Sequence, residues 1–283
     1  MPEPAAEFLT LTVSIVSYDT ELPELRALLE SLFIALGTLP AAGMQVKTRL
    51  LLVDNNEETR LQHVDFRDYQ QRFATRRASL NVLSGHGNVG YGRGHNQVIL
   101  SHQDDFHLVL NPDVVLAPDS LVVGLLYLEQ NADVAVVSPS ACDADGSKQY
   151  LCKRLPSLLT LLVRGFFPTW LKKLFRRHLA TYEMHDLPEN RASDQVPLIS
   201  GCCMLCRGAV LREVGGFDES YFLYFEDFDL SLRLGERARV VYLPGMKIQH
   251  FGGNAAGKGL RHIILYARSA WRFYNTWGWR VIR

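Results

Sequence analysis

The stretch Thr10-Leu-Thr-Val-Ser-Ile-Val-Ser17, then a leucine-spaced run from Glu21 to Leu36, then Arg49-Leu-Leu-Leu-Val-Asp54, reads as strand, helix, strand. Val, Ile and Thr suit a pleated, half-buried surface. Leu25, Leu28, Leu29, Leu32 and Leu36 recur at helical spacing on one face. The alternation continues, with strands predicted over Leu80–Ser84, Phe106–Leu110 and Val134–Ser138 and helices over 92–103 and 118–131. Strands alternating with helices are the mark of βαβ units, so the predicted class is α/β with a mostly parallel sheet. Past residue 150 come a basic, aromatic-rich segment, an apolar strand from Pro197 to Cys206 and an acidic helix start at Glu226.

Composition narrows the function classes. A chain of 283 residues, 47% hydrophobic and 21% charged, is neither disordered nor collagen-like nor a coiled coil. Five Cys, three of them at 202, 203 and 206 in the predicted buried strand, argue against a disulfide framework, and Cys203-Met-Leu-Cys206 reads as core packing rather than a zinc site. The first basic residue is Arg26, so no signal peptide is expected. The pure apolar runs fall short of the roughly 18 residues of a membrane span. A cytoplasmic protein is the expectation. Zero net charge argues against nucleic acid as a partner, yet Leu151–Tyr182 and Lys258–Arg283 hold seven and six basic residues with no acid.

The chemistry-bearing residues collect at predicted strand ends. In an open parallel sheet those ends are where ligands bind. Asp54 either accepts the N3–H of a pyrimidine base or, with Asn55, caps the next helix. Gly85-His-Gly-Asn-Val-Gly90 is a literal G-x-G-x-x-G, but it follows the third strand rather than the first, which disfavours a dinucleotide-binding oxidoreductase. Gly87–Asn96 reads better as a glycine loop whose backbone approaches a phosphate before entering a helix. Asp113, after Asn111 and Pro112, and His250, at the end of an apolar strand, are candidate ligands of a hard cation. Glu226, Asp227 and Asp229 stand at a helix start, where acids are favoured anyway. Six aromatics between Phe217 and Phe228 crowd them, so at least one carboxylate is expected to be desolvated and poised as a general base.

In order, these motifs resemble the inverting family 2 glycosyltransferases with the GT-A fold, within them the rhamnosyltransferase-like branch. The resemblance covers about residues 10–275. It implies one GT-A domain over 8–283, with a nucleotide-sugar half (8–115), an acceptor and catalytic half (116–257) that includes the basic segment 151–182, and a C-terminal basic aromatic helix (258–283). Ser17, Tyr18, Asp54, Asn55, Asn88, Gly90, Tyr91, Gly92, Asn96, Asn111 and Asp113 take the donor-binding positions. Ser200, Gly201 and Asp229 fall on the acceptor side. Asp227, or Glu226, takes the place of the general base. Asp113 and His250 take that of the ligands of Mg²⁺ or Mn²⁺. Asn111 replaces the first acid of the family's D-x-D motif. The implied donor is dTDP-rhamnose or a UDP-sugar, and the implied acceptor a polyprenyl-diphosphate-linked saccharide.

That acceptor gives the basic segment a meaning. Stepping about 100° per residue from Trp170 places Trp170, Leu171, Leu174, Phe175, His178 and Leu179 in one half-circle and Lys172, Lys173, Arg176 and Arg177 in the other. Such a helix either lies on an anionic membrane surface as a peripheral anchor or packs on the core with a solvated basic face. A non-catalytic nucleotide-sugar-binding subunit is the rival class, disfavoured by the intact acidic cluster.

Overall fold

The first predicted strand is the spine of the sheet. β1 (Leu9–Ser17) lies between β2 (Val46–Asp54) and β4 (Phe106–Leu110), parallel to both, and β3 (Ala78–Leu83) adds outside β2. The chain steps outward from β1 to β3 and returns across β1 to β4. The carboxyl ends of β1 and β4 therefore form a topological switch point, the place where open parallel sheets bind ligands. Past β4 the sheet runs through antiparallel β10 (Cys203–Arg207), β6 (Val134–Cys142), β11 (Arg239–His250) and β5 (Val114–Leu116), with β7 (Lys148–Gln149) beside β6. A separate small sheet joins β8 (Cys152–Lys153) to β9 (Leu198–Ile199). This computed structural model describes residues 8–61, 64–194, 196–252 and 259–281.

Two layers of helix cover the sheet. On one face α1 (Leu22–Thr38) and α4 (Ser120–Gln130) set Leu25, Leu28, Leu32, Leu121 and Leu125 against Leu11, Val13, Ile15 and Leu108. On the other, α3 (Tyr91–Ile99), α8 (Gly208–Glu213) and α9 (Glu226–Gly235) bring Ile99, Leu211, Leu230 and Leu234 to Val109, Val136 and Met204. Helix α2 (Arg67–Ala74) follows β2. A third, aromatic cluster of Tyr221, Phe225, Phe273 and Tyr274 joins α5 (Leu158–Phe166) and α10 (Gly259–Trp277) to the chain entering α9.

β1 alternates accordingly, with a buried polar side. Ser14 faces α3, and its Oγ lies 2.7 Å from His95 Nδ1 and 2.8 Å from His107 Nε2. Burial pushes the pKa of both histidines down, His107 to about 3, so both are neutral imidazoles. Buried polar groups need such partners, and these tie α3 to β1 and β4. The same helix packs closely on Phe217, since an ideal Cβ at Gly92 would stand 2.7 Å from Phe217 Cβ.

Several expectations need correction. The single strand Pro197–Cys206 is broken into β9 and β10 by a turn at Gly201 and Cys202, which carries the chain from the small sheet to the large one. The predicted helix 92–103 ends at Ile99. Residues Leu22–Ala42, containing α1, are long and apolar enough to cross a membrane by length and composition, contrary to expectation, although the leucines of α1 are spent on the core. The amphipathic helix at 168–179 is three short pieces: α6 (Thr169–Lys172), a 3-10 turn (Lys173–Phe175) and α7 (Arg176–Tyr182). Much of its apolar side turns inward: Phe175 packs edge-on against Phe167 at 5.6 Å, and His178 Nε2 meets Thr160 Oγ1 at 2.8 Å. Trp170 and Leu174 remain exposed.

The approach of α3 to Phe217 gives a stability test. Ala favours a helix interior over Gly by about 1 kcal/mol, yet a methyl at 92 overlaps Phe217. Gly92→Ala is expected to destabilise the protein by about 1–3 kcal/mol net, read as a lower urea midpoint at unchanged slope.

Candidate active site

The switch point is held open by a line of hydrogen bonds. Asn55, past the end of β2, donates its N–H to Ser17 O at 2.8 Å and its side-chain amide to Asn88 Oδ1 and Gly90 O, both at 3.2 Å. Asn88 Oδ1 in turn accepts from Gly90 N–H at 3.1 Å. The glycine loop is thus fastened to the ends of β1 and β2 before α3 begins. Tyr91, the first residue of α3, points its hydroxyl at Gly201 O (2.7 Å) and at the Asn111 amide (3.0 Å). Burial raises its pKa well above the phenol range, so the proton stays on. One proton serves one acceptor. It goes to Gly201, the nearer of the two, and the Asn111 amide lies beside the same hydroxyl.

Gly201 carries the line onward. Its N–H donates to Asp227 Oδ2 at 3.0 Å, while Phe228 N–H donates to Asp227 Oδ1 at 2.9 Å. Both carboxylate oxygens are therefore fixed by backbone donors. Burial raises the Asp227 pKa and these N–H groups pull against it. Glu226 beside it is buried, its Oε2 has no hydrogen-bond partner, and burial first and the Asp227 charge second push its pKa well above the carboxylate range. Within the pair the proton is held more strongly by Glu226, which has no donor on Oε2, than by Asp227, which has two. The chain entering this helix is strained, for Tyr224 (φ 72°) and Phe225 (φ 65°) are both left-handed without being glycine. Such residues cost about 1–3 kcal/mol each and persist only where their surroundings over-determine them. Here α10 does so: His262 Nδ1 is 2.8 Å from the Tyr224 hydroxyl, and the Phe225 ring stands 5.2 Å from those of Tyr266 and Phe273.

Across the cleft, Asp113 Oδ1 is buried without a hydrogen-bond partner, 3.5 Å from His250 Nε2. Gln149 fixes that histidine. Its NH₂ donates to His250 O (2.9 Å) and to Asp143 Oδ1, so its carbonyl oxygen must receive the proton on His250 Nδ1 at 2.8 Å. Nε2 is left facing Asp113. Gly252 closes the cradle, since a Cβ there would sit 2.0 Å from Asp113 Oδ2. A carboxylate oxygen and an imidazole nitrogen facing each other, with no room between them for a side chain, suit a hard divalent cation. Among the described residues no third acid, His or Cys joins them.

Not every predicted residue faces this cleft. Asp54 is fully buried and its oxygens receive the Asn56 amide and the Leu61 N–H, each at 2.7 Å, so it fastens the loop after β2. Asn96 joins α3 to the 215–219 loop through Phe217 N–H and O. Gly92 packs on Phe217. Asp229 turns inward, accepting from Arg233 Nε at 2.7 Å and Trp277 Nε1 at 2.9 Å, and does not face an acceptor. Tyr91 bridges the two sides through its hydroxyl. Ser17 is buried with a partnerless hydroxyl, Tyr18 is exposed, and the Ser200 N–H donates to Leu151 O at 3.0 Å. Sequence reasoning missed Gln149 and Trp277. Nothing near either in the chain signals a role, because both act on residues about 50 to 100 positions away.

The family model described as glycosyltransferase-like family 2 matches residues 11–262. Over 228 residues, 75% of this chain and 73% of the relative, the sequence is 29% identical to an N-acetylglucosaminyl-diphospho-decaprenol L-rhamnosyltransferase of Mycobacterium tuberculosis. It is 28% identical over 187 residues to the rhamnosyltransferase WbbL of Escherichia coli K12, covering 62% of this chain and 65% of that one. Among solved structures, GalNAc-T7 with UDP, GalNAc and Mn²⁺ superposes with a TM-score of 0.63 at 11% identity, across 96% of this chain. The chain spans 49% of the length of that structure. S. aureus TarS 1–349 in complex with UDP-GlcNAc gives 0.55 at 15% identity, covering 94% of this chain and 67% of that one.

The protonated Glu226 has a measurable consequence. A carboxyl whose folded pKa lies above its unfolded one contributes stability that is complete below the unfolded value, near 4.5, and is lost as pH rises toward the folded value. Glu226→Gln removes that dependence. Its thermal midpoint is expected to match wild type near pH 4.5 and to exceed it increasingly up to pH 8; an advantage that shrinks with pH contradicts the assignment.

Proposed function

The chain belongs to the family 2 glycosyltransferases and has the GT-A fold, and from that premise we propose that it moves rhamnose from dTDP-rhamnose to a hydroxyl of a polyprenyl-diphosphate-linked saccharide, with inversion. The names of the two rhamnosyltransferase relatives support the sugar, and that of the mycobacterial one supports an acceptor built on N-acetylglucosaminyl diphospho-polyprenol. A UDP-sugar is the alternative donor. The observation that carries the chemistry is the Asp227 carboxylate, fixed through both oxygens beside a protonated neighbour.

In this reading the donor lies across the carboxyl ends of β1 and β2. Asn55 holds the glycine loop, Ser17 and Tyr18 line the β1 end, and Asn88, Gly90 and Asn111 face the nucleotide sugar. Asp113 and His250 would hold Mg²⁺ or Mn²⁺, which when bound supplies neutralisation of the diphosphate leaving group. Ser200 and Gly201 border the acceptor. Asp227 takes the proton from the acceptor hydroxyl as its oxygen attacks the anomeric carbon from the face opposite the diphosphate. Glu226, being protonated, adds no competing negative charge. Such a substrate places the enzyme peripherally on the cytoplasmic face of an anionic membrane.

Asp227→Asn keeps the shape of the side chain and removes the base. Donor binding is expected to persist, and transfer to a soluble polyprenyl-diphosphate acceptor analogue to fall by about 10²- to 10⁴-fold; wild-type turnover in the variant would transfer the role elsewhere. Gln149→Leu frees the His250 ring. Mn²⁺ binding, followed by its paramagnetic resonance signal with dTDP present, is expected to weaken by about 10- to 100-fold, whereas equal affinity would remove Gln149 and His250 from the cation site.

A further inference from the structure

Helix α10 has two apolar faces, and among the described residues only one of them is covered. Ala270, Phe273 and Tyr274 are buried against α5 and the chain entering α9. Leu260, Ile263, Ile264 and Trp271 are 72%, 51%, 59% and 63% exposed, and Ala267 among them is exposed too. Stepping about 100° per residue from Leu260 puts these five within an arc of about 100°, with Arg268, Arg261 and Arg272 together along one edge of it. All three arginines are exposed, and Gly259–Trp277 contains no acid. Tyr274 donates to Pro156 O at 2.9 Å and Leu158 N–H to Arg280 O at 2.8 Å, so α5 is sewn to the end of α10. Neighbouring segments add exposed Leu162, Trp170 and Leu174, with exposed Lys173, Arg176 and Arg177.

An apolar stripe of that width, bordered by cations and free of acids, is complementary to a surface with an apolar interior and an anionic rim. We propose that the outward face of α10 is the membrane-docking surface of this protein, with an anionic bilayer as its partner. The broken segment 168–179, half of whose apolar residues face inward, is accessory to it. The proposal rests on the lipid-linked acceptor for its purpose, since that substrate lives in the bilayer on which α10 would lie. Its inner side carries the catalytic segment directly. Ser269 Oγ donates to Leu223 O at 2.8 Å, His262 meets Tyr224, and Trp277 holds Asp229. Docking through α10 therefore fixes the height of the first turn of α9, and of Asp227 in it, relative to the bilayer.

The test is sedimentation with vesicles of phosphatidylcholine containing about 30% phosphatidylglycerol, without donor or acceptor. Wild type is expected to bind at low ionic strength and to be released by salt or by pure phosphatidylcholine. Ile264→Glu with Trp271→Glu is expected to weaken binding by at least about 10-fold and to leave transfer to a soluble acceptor unchanged. Arg261→Ser with Arg268→Ser, which leaves the stripe intact, is expected to weaken binding and flatten its salt dependence, and it is the deciding variant should the glutamate pair disturb the circular dichroism. Failure of wild type to bind anionic vesicles, equal binding by both variants, or a wild-type dimer that the glutamate pair makes monomeric would each overturn the proposal. Vesicle binding without transfer to any lipid-linked acceptor would leave the surface standing and remove the acceptor reading.

Discussion

One residue, Gly201, is held through both its carbonyl and its N–H, and the cleft depends on it. Its carbonyl oxygen takes the Tyr91 proton and its N–H goes to Asp227, while the carbonyl of the next residue, Cys202, receives the Asn111 N–H at 2.8 Å. The two groups belong to successive peptide units joined at the Gly201 Cα, so Tyr91 and Asp227 are both tied to one residue and a shift of either moves the other's partner. The glycine loop, the turn after β4 and the first turn of α9 are thereby three parts of one frame. This also accounts for the break between β9 and β10. An unbroken strand would spend the Gly201 N–H and carbonyl on a ladder, and neither would be free to face the cleft.

Charge is distributed over this frame by burial. Of the three acids at the start of α9, Asp229 is neutralised in place by Arg233, whose guanidinium also reaches Val214 O and Gly216 O at 2.7 Å each. Glu226 has no such partner and holds its proton. Asp227 keeps two backbone donors. Three neighbouring carboxyls of similar intrinsic acidity thus become a structural anion, a neutral acid and a candidate base, separated only by what each oxygen meets. A buried carboxylate without donors is expensive, whereas one with two N–H partners is tolerated.

These environments explain what was legible in the chain. The βαβ order was visible because Leu11, Val13 and Ile15 and the leucines of α1 obey the periods of strand and helix, and β4 was placed to the residue. The motifs at strand ends were visible because the turn chemistry is local. What distinguished Asp227 from Asp229 was not, since it depends on Gly201 and Trp277, which are brought there by the fold. Asp54 shows the same limit: a carboxylate at a strand end looks alike in the sequence whatever its oxygens meet, and the Leu61 N–H that one of them receives lies in the loop beyond. The helix expected at 168–179 failed differently. Its angular pattern was real, but Phe167 and Thr160 offered Phe175 and His178 partners that a straight helix cannot reach.

The left-handed pair at Tyr224 and Phe225 shows what the inner face of α10 does for the first turn of α9. Two strained residues in a row relax unless something outside their own segment holds them. Tyr266, Phe273 and His262 supply that hold, all from α10, and release of the helix would let the entry to α9 recover an ordinary backbone. Asp227, the second residue of α9, would then lose its alignment with Gly201, and the carboxylate would lose one of its two N–H donors. The strands around β1 come early in the sequence, whereas the contacts that hold the entry to α9 come from α10, which follows it.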